Sequence, residues 1–273
     1  MTRNISELGP REAEFLATVA AEGKPMFGIE RAREFWGTDQ YARNAVAHLE
    51  HKGWIERLER GSYLIVPLEA GVSRQWSEDP IAIGTFLVPE GGAAYWTAIR
   101  HWGWTTQLPR EYLFITSRRR YLSKNRVLGI PYRFVVLKPE RVFGIETTWA
   151  NDLQLRVTDR DRTVIDMLDR PDLCGGIAEV TESLIAAWPT LDLARVTDYL
   201  RRFGSGTAPK RLGFLGETLS LGGVSDYAEA WRQMIGSGYS LLERGGPKEG
   251  RLLRRWNLRI NSGGFEARHG TES

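Results

Sequence analysis

The chain has 273 residues, of which 42% are hydrophobic and 26% are charged, and this length predicts about two domains. Ten tryptophans, nine tyrosines and ten phenylalanines supply enough apolar surface to exclude a wholly disordered or collagen-like chain. The 37 basic and 34 acidic residues give a net charge of +3, which by itself does not predict a partner.

Residues 1–67 predict three helices followed by a hairpin, which is the order of a winged helix-turn-helix domain. The helices are predicted over residues 10–22, 29–35 and 39–52, and the strands over residues 54–58 and 62–66. Thr38 is a typical N-cap of the third helix, and Gly53 ends it. The apolar face of this helix is predicted at three- and four-residue spacing, at Ala42, Ala45, Val46 and Leu49.

Residues 68–79 show little regular pattern and are predicted to be a linker to a larger mixed α/β domain at residues 80–261. Strands are predicted over residues 81–88, 112–116, 133–137, 153–157 and 252–260. Helices are predicted over residues 93–101, 162–168, 177–187, 193–203, 208–222 and 227–236. The polar, glycine-rich residues 262–273 are predicted to be a disordered tail. The predicted fold class is therefore α+β.

The third helix of the first domain carries side chains that can read base edges in a DNA major groove. Arginine, asparagine and glutamine pair bidentately with guanine or adenine, and a recognition helix presents its N-terminal residues to the bases. The candidate residues on this helix are Gln40, Tyr41, Arg43, Asn44 and His48. Arg57, Arg60 and Ser62, on or beside the hairpin, are candidates for phosphate contacts. The alternative is a solvated amphipathic helix in a protein–protein module.

The charge is unevenly distributed along the chain. Residues 1–67 contain nine basic and ten acidic residues, whereas residues 110–141 contain nine basic and two acidic residues. Within the second stretch, the candidate phosphate contacts are Arg118, Arg119, Arg120, Lys124 and Arg126. A second basic cluster lies at Lys248, Arg251, Arg254, Arg255 and Arg259. For both clusters the alternatives are a solvated surface that serves only solubility, or an acidic protein partner.

No catalytic constellation is evident, and we expect no enzymatic activity, no metal ion and no cofactor. There is no P-loop, and one cysteine, Cys174, cannot build a structural zinc site. A nuclease-like arrangement of Glu146, Asp152 and Gln154 lacks the lysine that such a site requires. The carboxylates at 159, 161 and 166 alternate with arginines 160 and 162, which predicts a surface ion-pair lattice.

The compartment is predicted from three further observations. No apolar run approaches the roughly 20 residues of a membrane span, and the N-terminus has no apolar stretch of signal-peptide length. The single cysteine suits a reducing compartment. We therefore expect a cytoplasmic protein that does not contact a membrane.

An ordered set of motifs resembles the AbiEi-like antitoxins of type IV toxin–antitoxin systems, including their mycobacterial branch. The matching segments are residues 45–49 (AVAHL), 53–55 (GWI), 57–64 (RLERGSYL), 95–105 (YWTAIRHWGWT), 157–166 (VTDRDRTVID), 170–171 (RP), 175–176 (GG) and 210–214 (KRLGF). Where the family has His-Gly-Leu, this chain has Trp102, Gly103 and Trp104.

The resemblance implies a transcriptional autorepressor whose winged domain binds inverted repeats in double-stranded DNA of its own promoter. It also implies a C-terminal antitoxin domain that counteracts a nucleotidyltransferase toxin of the same operon without a stable complex. The alternative is a winged-helix regulator whose second domain senses a small ligand, with Trp96, Trp102 and Trp104 lining a pocket; such a cluster is more often core.

Overall fold

The computed structural model describes residues 7–23, 25–66, 79–119, 126–150 and 153–262, and its fold class is α+β, as predicted. The chain divides into two compact units. The first comprises the described residues of Met1–Pro89, Arg120–Tyr132 and Thr147–Leu155, and the second those of Glu90–Arg119, Arg133–Glu146 and Arg156–Ser273. Apart from residues 79 and 262, the predicted linker and the predicted tail lie outside the described residues.

The first unit begins with three helices and a three-stranded antiparallel sheet. The helices are α1 (Pro10–Ala21), α2 (Ile29–Trp36) and α3 (Asp39–Lys52), and the strands are β1 (Met26–Gly28), β2 (Ile55–Glu59) and β3 (Ser62–Ile65). The strand order is β1-β3-β2. The three helices and the hairpin are confirmed, but the sequence does not predict β1, because three residues between two helices are too few to show the alternation of a strand.

Local chemistry explains the bounds of α3. The hydroxyl oxygen of Thr38 accepts a hydrogen bond from the backbone N–H of Tyr41 at 3.3 Å, which satisfies one of the unpaired donors of the first turn. Gly53 ends the helix at φ +82°, a conformation that favours glycine. Val46 and Leu49 are fully buried against a core centred on Phe15. The helix is thus fixed at both ends and along one face.

Residues 81–88, predicted to be a strand, form helix α4 (Pro80–Leu87) instead. The carboxylate of Asp79 accepts from the N–H groups of Ile81 at 2.7 Å and Ala82 at 3.4 Å, and Pro80 occupies the first helical position. The helix is buried on almost all sides, so its apolar residues show no period. A short, continuously apolar run does not distinguish a buried helix from a buried strand.

A six-stranded sheet follows along the chain. Its strands are β4 (Gly92–Ala93), β5 (Tyr112–Thr116), β6 (Arg126–Val127), β7 (Ile130–Val136), β8 (Ile145–Ala150) and β9 (Leu153–Thr158), in the order β6-β7-β5-β4-β9-β8. β4 runs antiparallel to β5 and parallel to β9. The predictions for β5, β7 and β9 are confirmed. β8 is not predicted, since none of its side chains is fully buried and its apolar pattern is weak.

Helices build most of the second unit. They are α5 (Trp96–His101), α6 (Arg160–Asp169), α7 (Ile177–Ala187), α8 (Leu193–Phe203), α9 (Ala208–Thr218) and α10 (Val224–Arg232). A small sheet adds β10 (Ser240–Leu241), β11 (Arg251–Leu253) and β12 (Leu258–Ile260). The single strand predicted over residues 252–260 is wrong, because a 3-10 turn and Asn257 at φ +47° reverse the chain within it.

The predicted surface ion-pair lattice on α6 is also wrong, because this helix is buried along most of its length. Arg162 and Asp166 form an ion pair with Nη2···Oδ1 at 2.9 Å, and both side chains are 0% exposed. The guanidinium of Arg162 also lies 4.5 Å from the ring centroid of Phe143 and 4.6 Å from that of Phe203. Burial raises the pKa of Asp166 to about 6, although Arg162 opposes the shift.

The motif at residues 210–214 is likewise part of the core. Arg211 is 2% exposed and donates to the backbone oxygens of Leu168 at 2.6 Å and Leu241 at 2.7 Å. Burial lowers the pKa of Arg211 to about 10. A Cβ atom on Gly213 would lie 2.1 Å from the ring of Trp256, so only glycine fits there. Two of the motifs behind the family resemblance therefore serve folding.

Candidate nucleic-acid interface

The outer face of α3 is polar and open to solvent. All five side chains predicted to face DNA are exposed: Gln40, Tyr41, Arg43, Asn44 and His48. On the opposite face, Ala42, Val46 and Leu49 are buried as predicted, and Ala45 is half-buried. The side chain of Tyr41 is 68% exposed. The face could meet a flat or grooved ligand without unfolding any part of the helix.

Hydrogen bonds and ion pairs hold several of these side chains in place. The amide of Gln40 donates from Nε2 to Oδ1 of Asn44 at 3.0 Å, one turn along the helix. Asp39 lies between two arginines, with Oδ1 2.5 Å from Nε of Arg33 and Oδ2 2.8 Å from Nε of Arg43. The first two turns of α3 thus carry side chains held by hydrogen bonds and ion pairs rather than independent side chains.

Several acidic residues of the first unit form ion pairs away from the outer face of α3. Arg31 lies 2.6 Å from a carboxylate oxygen of Glu22, and their hydrogen bond raises the pKa of Arg31. Lys52 lies 2.5 Å from a carboxylate oxygen of Glu12. Residues 40–49 contain no carboxylate at all. On the outer face of α3 the charges of Asp39 and Arg43 oppose each other, so this face, like residues 1–67 as a whole, is near-neutral.

The β2–β3 hairpin carries the remaining candidates of the first unit. Arg57 and Arg60 are exposed, and Ser62 is half-buried. Nε of Arg57 donates to the backbone oxygen of Glu59 at 3.3 Å, next to an irregularity in the strand register. Gly61 turns the chain at φ +83°, and its backbone oxygen accepts from the N–H of Ile29 at 2.7 Å. The hairpin is thus bonded to the start of α2.

The described part of the basic stretch presents Arg118, Arg119 and Arg126 at the surface. The backbone N–H of Arg118 donates to the hydroxyl of Thr116 at 3.1 Å. Nη1 of Arg126 donates to the backbone oxygen of Gly129 at 2.7 Å, across the β6–β7 turn. Arg118 and Arg119 belong to the second unit and Arg126 to the first. The other two candidates, Arg120 and Lys124, lie outside the described residues.

The C-terminal basic cluster is less available for a ligand than its sequence indicates. Arg255 pairs with Glu217 at 2.6 Å, and that hydrogen bond raises the pKa of Arg255. Nη1 of Arg259 donates to the backbone oxygen of Lys248 at 2.6 Å. Two members of the cluster are therefore engaged within the protein.

The three tryptophans that could line a ligand pocket, Trp96, Trp102 and Trp104, belong to or pack against the hydrophobic core of the second unit. Trp104 is 7% exposed, and Trp102 donates from Nε1 to the backbone oxygen of Thr158 at 3.0 Å. Arg160 stacks on Trp102 with its Cζ 4.2 Å from the ring centroid. A shallow cavity of about 450 Å³ lies elsewhere in this unit, lined by Leu200, Arg201, Gly204, Ser205, Gly206, Met234 and Gly236.

The residues weighed for catalysis are not brought together as a described site. Glu146 lies on β8 and Gln154 on β9, while Asp152 lies outside the described residues. Within the described ranges, no group of three or more histidine, cysteine, aspartate or glutamate side chains could hold a metal ion. Over the same ranges, no helix has the length and apolar character needed to cross a membrane.

Sequence reasoning missed Asp39 and Arg33. The i,i+4 spacing of Asp39 and Arg43 is a visible signal for an ion pair on a helix. No local pattern links Asp39 to Arg33, because that contact depends on the angle between α2 and α3. The structure thus adds an acidic residue to a face predicted only from its basic and amide side chains.

Comparison with known proteins supports the fold. The sequence matches no protein-family model and no curated protein. Among solved structures, the Rv2827c protein of Mycobacterium tuberculosis is similar, with a TM-score of 0.64 and 13% sequence identity over 94% of this chain and 93% of that chain. This chain therefore shares the overall fold of a mycobacterial protein across almost its whole length.

Proposed function

We propose that this protein is a DNA-binding transcriptional autorepressor that also acts as an antitoxin against a nucleotidyltransferase toxin encoded in its operon. The observation that carries the DNA-binding part is the outer face of α3. It presents an arginine and two amides near the start of an exposed helix, where recognition helices meet base edges.

Two further observations support this part of the proposal. The order helix, strand, helix, helix, hairpin, with the strands in the order β1-β3-β2, is compatible with the proposed winged helix-turn-helix, in which α3 would be the recognition helix and the β2–β3 hairpin the wing. Arg57 and Arg60 on that hairpin are exposed and could contact phosphates beside the groove. The basic stretch at residues 118–126 offers further candidate phosphate contacts.

The DNA-binding part is tested by titrating the full-length protein against duplex DNA from immediately upstream of its own gene, at several salt concentrations. Arg43→Ala should weaken binding to that DNA and relax the sequence preference at one position. Arg119→Ala should weaken all duplexes alike and reduce the slope of log K against log salt by about one. Arg232→Ala, which removes an exposed arginine paired with Glu229, is the matched control. If Arg43→Ala and Arg119→Ala bind like the control, the proposed footprint is wrong.

The antitoxin part rests on the family resemblance. Its test is coexpression of the full-length protein with the nucleotidyltransferase encoded beside it, with growth as the readout. Arg43→Ala should still restore growth, because the resemblance assigns neutralisation to the second domain. If wild-type protein leaves growth arrested, the antitoxin part is overturned while the DNA-binding part still stands on its own titration.

A further inference from the structure

Asp39 occupies an unusual position for an acidic residue on a proposed DNA-reading surface. It is the first residue of α3, where a carboxylate is favoured by the positive end of the helix dipole. Its side chain is half-exposed and contacts two arginines, Arg33 from α2 and Arg43 from the next turn of α3. A bare carboxylate at this place would repel DNA phosphates, but here both oxygens face guanidinium groups.

The pair leaves one edge of the Arg43 guanidinium available. Asp39 contacts Arg43 through Nε at 2.8 Å. Within the described part of the chain, no residue accepts a hydrogen bond from either Nη of Arg43, and its side chain is 60% exposed. The two Nη groups form the flat donor edge that matches the O6 and N7 acceptors of guanine.

We propose that Asp39 is a positioning residue that holds Arg43 for guanine and thereby sets the base preference of this surface, an inference that rests on the proposed DNA-binding function. A free arginine side chain has many rotamers and reaches phosphates as readily as bases. The ion pair with Asp39 removes much of that freedom before binding, so less conformational entropy is lost when the base contact forms. Asp39 also keeps Arg43 away from phosphates, which lowers affinity for DNA of any other sequence.

Arg33 provides the means to separate this role from a structural one. Asp39 links α2 to α3 through Arg33 and orients the base-reading side chain through Arg43. Arg33→Ala breaks the first link and leaves the second. Asp39→Asn removes the charge that holds both arginines but keeps the size of the side chain. The two variants therefore differ chiefly in whether Arg43 is still held by a carboxylate.

The experiment uses the full-length protein and a duplex selected by the wild-type protein from a random pool. Each guanine of the selected site is replaced in turn by 7-deazaguanine, which lacks the N7 acceptor, and affinities are measured for wild type, Asp39→Asn, Arg43→Ala and Arg33→Ala. For wild type, we expect one guanine per half-site at which the replacement weakens binding about 10-fold. Arg43→Ala should abolish that penalty.

Asp39→Asn should reduce the penalty to less than about 3-fold and raise affinity for random duplex, with a steeper salt dependence, because Arg43 is then free to contact phosphates. Arg33→Ala should keep the full penalty. The inference is overturned if Asp39→Asn retains the wild-type penalty for 7-deazaguanine. It is also overturned if Arg33→Ala reduces that penalty as much as Asp39→Asn does. If wild type selects a site but no guanine shows a penalty that depends on Arg43, the inference fails and the proposed function stands. If wild type binds no duplex, the DNA-binding part of the proposed function itself fails.

Discussion

Replacing Arg162 with methionine should destabilise the second unit by an amount that grows with pH. Methionine keeps an unbranched chain between Phe143 and Phe203 but leaves the carboxylate of Asp166 without its cation. Within the described ranges, Oδ2 of Asp166 already has no hydrogen-bond partner. Removing one partner of a buried ion pair typically costs about 3–5 kcal/mol.

The pH dependence follows from the pKa of Asp166, which burial raises to about 6 in the folded protein. In the unfolded chain the pKa of an aspartate is about 3.9, so the folded state binds the proton more tightly. The contribution of Asp166 to stability therefore falls as the pH rises through this window, by about 3 kcal/mol in total. Without Arg162 the folded pKa rises further, so the loss continues to higher pH.

The measurement is urea unfolding of the full-length protein, followed by circular dichroism, at pH 5 and pH 8. Arg162→Met should lower the free energy of unfolding clearly less at pH 5 than at pH 8, because at pH 5 the carboxyl group of Asp166 in the folded variant is protonated and neutral. The double variant Arg162→Met/Asp166→Leu contains no buried charge at this place and should lose the additional pH dependence. An equal cost of Arg162→Met at both pH values, or a cost below about 1 kcal/mol at pH 8, would refute this account of the buried pair.

Three further substitutions test other parts of the fold. Thr38→Ala should cost the first unit about 1 kcal/mol in urea unfolding, because α3 loses its N-cap, and Thr38→Ser should restore most of it. Gly213→Ala should cost about 3 kcal/mol or more, since its Cβ would overlap the ring of Trp256, whereas Gly222→Ala, with nothing within 4 Å of the added atom, should leave the melting temperature nearly unchanged. Leu128→Gly should be neutral or stabilising by up to about 1 kcal/mol, because residue 128 adopts φ +51°; a clear loss of stability would mean that the leucine side chain contributes to packing.

The elements that the sequence predicts best are those with caps and a clear period. For α3, α7 and α8 the observed bounds equal the predicted ones. Thr38 and Gly53 mark the ends of α3, and Gly204, in the left-handed conformation, ends α8. Capping residues and helical periodicity act over a few neighbouring residues, so they can be recognised from a single sequence.

The errors arise where tertiary packing decides. α4 has a capping aspartate and a first-turn proline, but its burial on almost all sides removes the helical period. The charges of α6 form a pattern typical of a solvated helix, and only the surrounding packing puts Arg162 and Asp166 inside. At the candidate interface, helical periodicity predicts which basic and amide side chains are exposed. The contact of Asp39 with Arg33 depends instead on how two helices pack.

The hydrogen bond between Gly61 and Ile29 limits how the β2–β3 hairpin can vary among related proteins. The backbone oxygen at the hairpin turn accepts from the first amide of α2, so the length of the turn is tied to the position of that helix. An insertion at residues 60–61 would displace this acceptor and leave the amide of Ile29 unpaired. Relatives that keep the bond should therefore vary this hairpin by substitution rather than by length, and hydrogen exchange at Ile29 would report on the integrity of the turn.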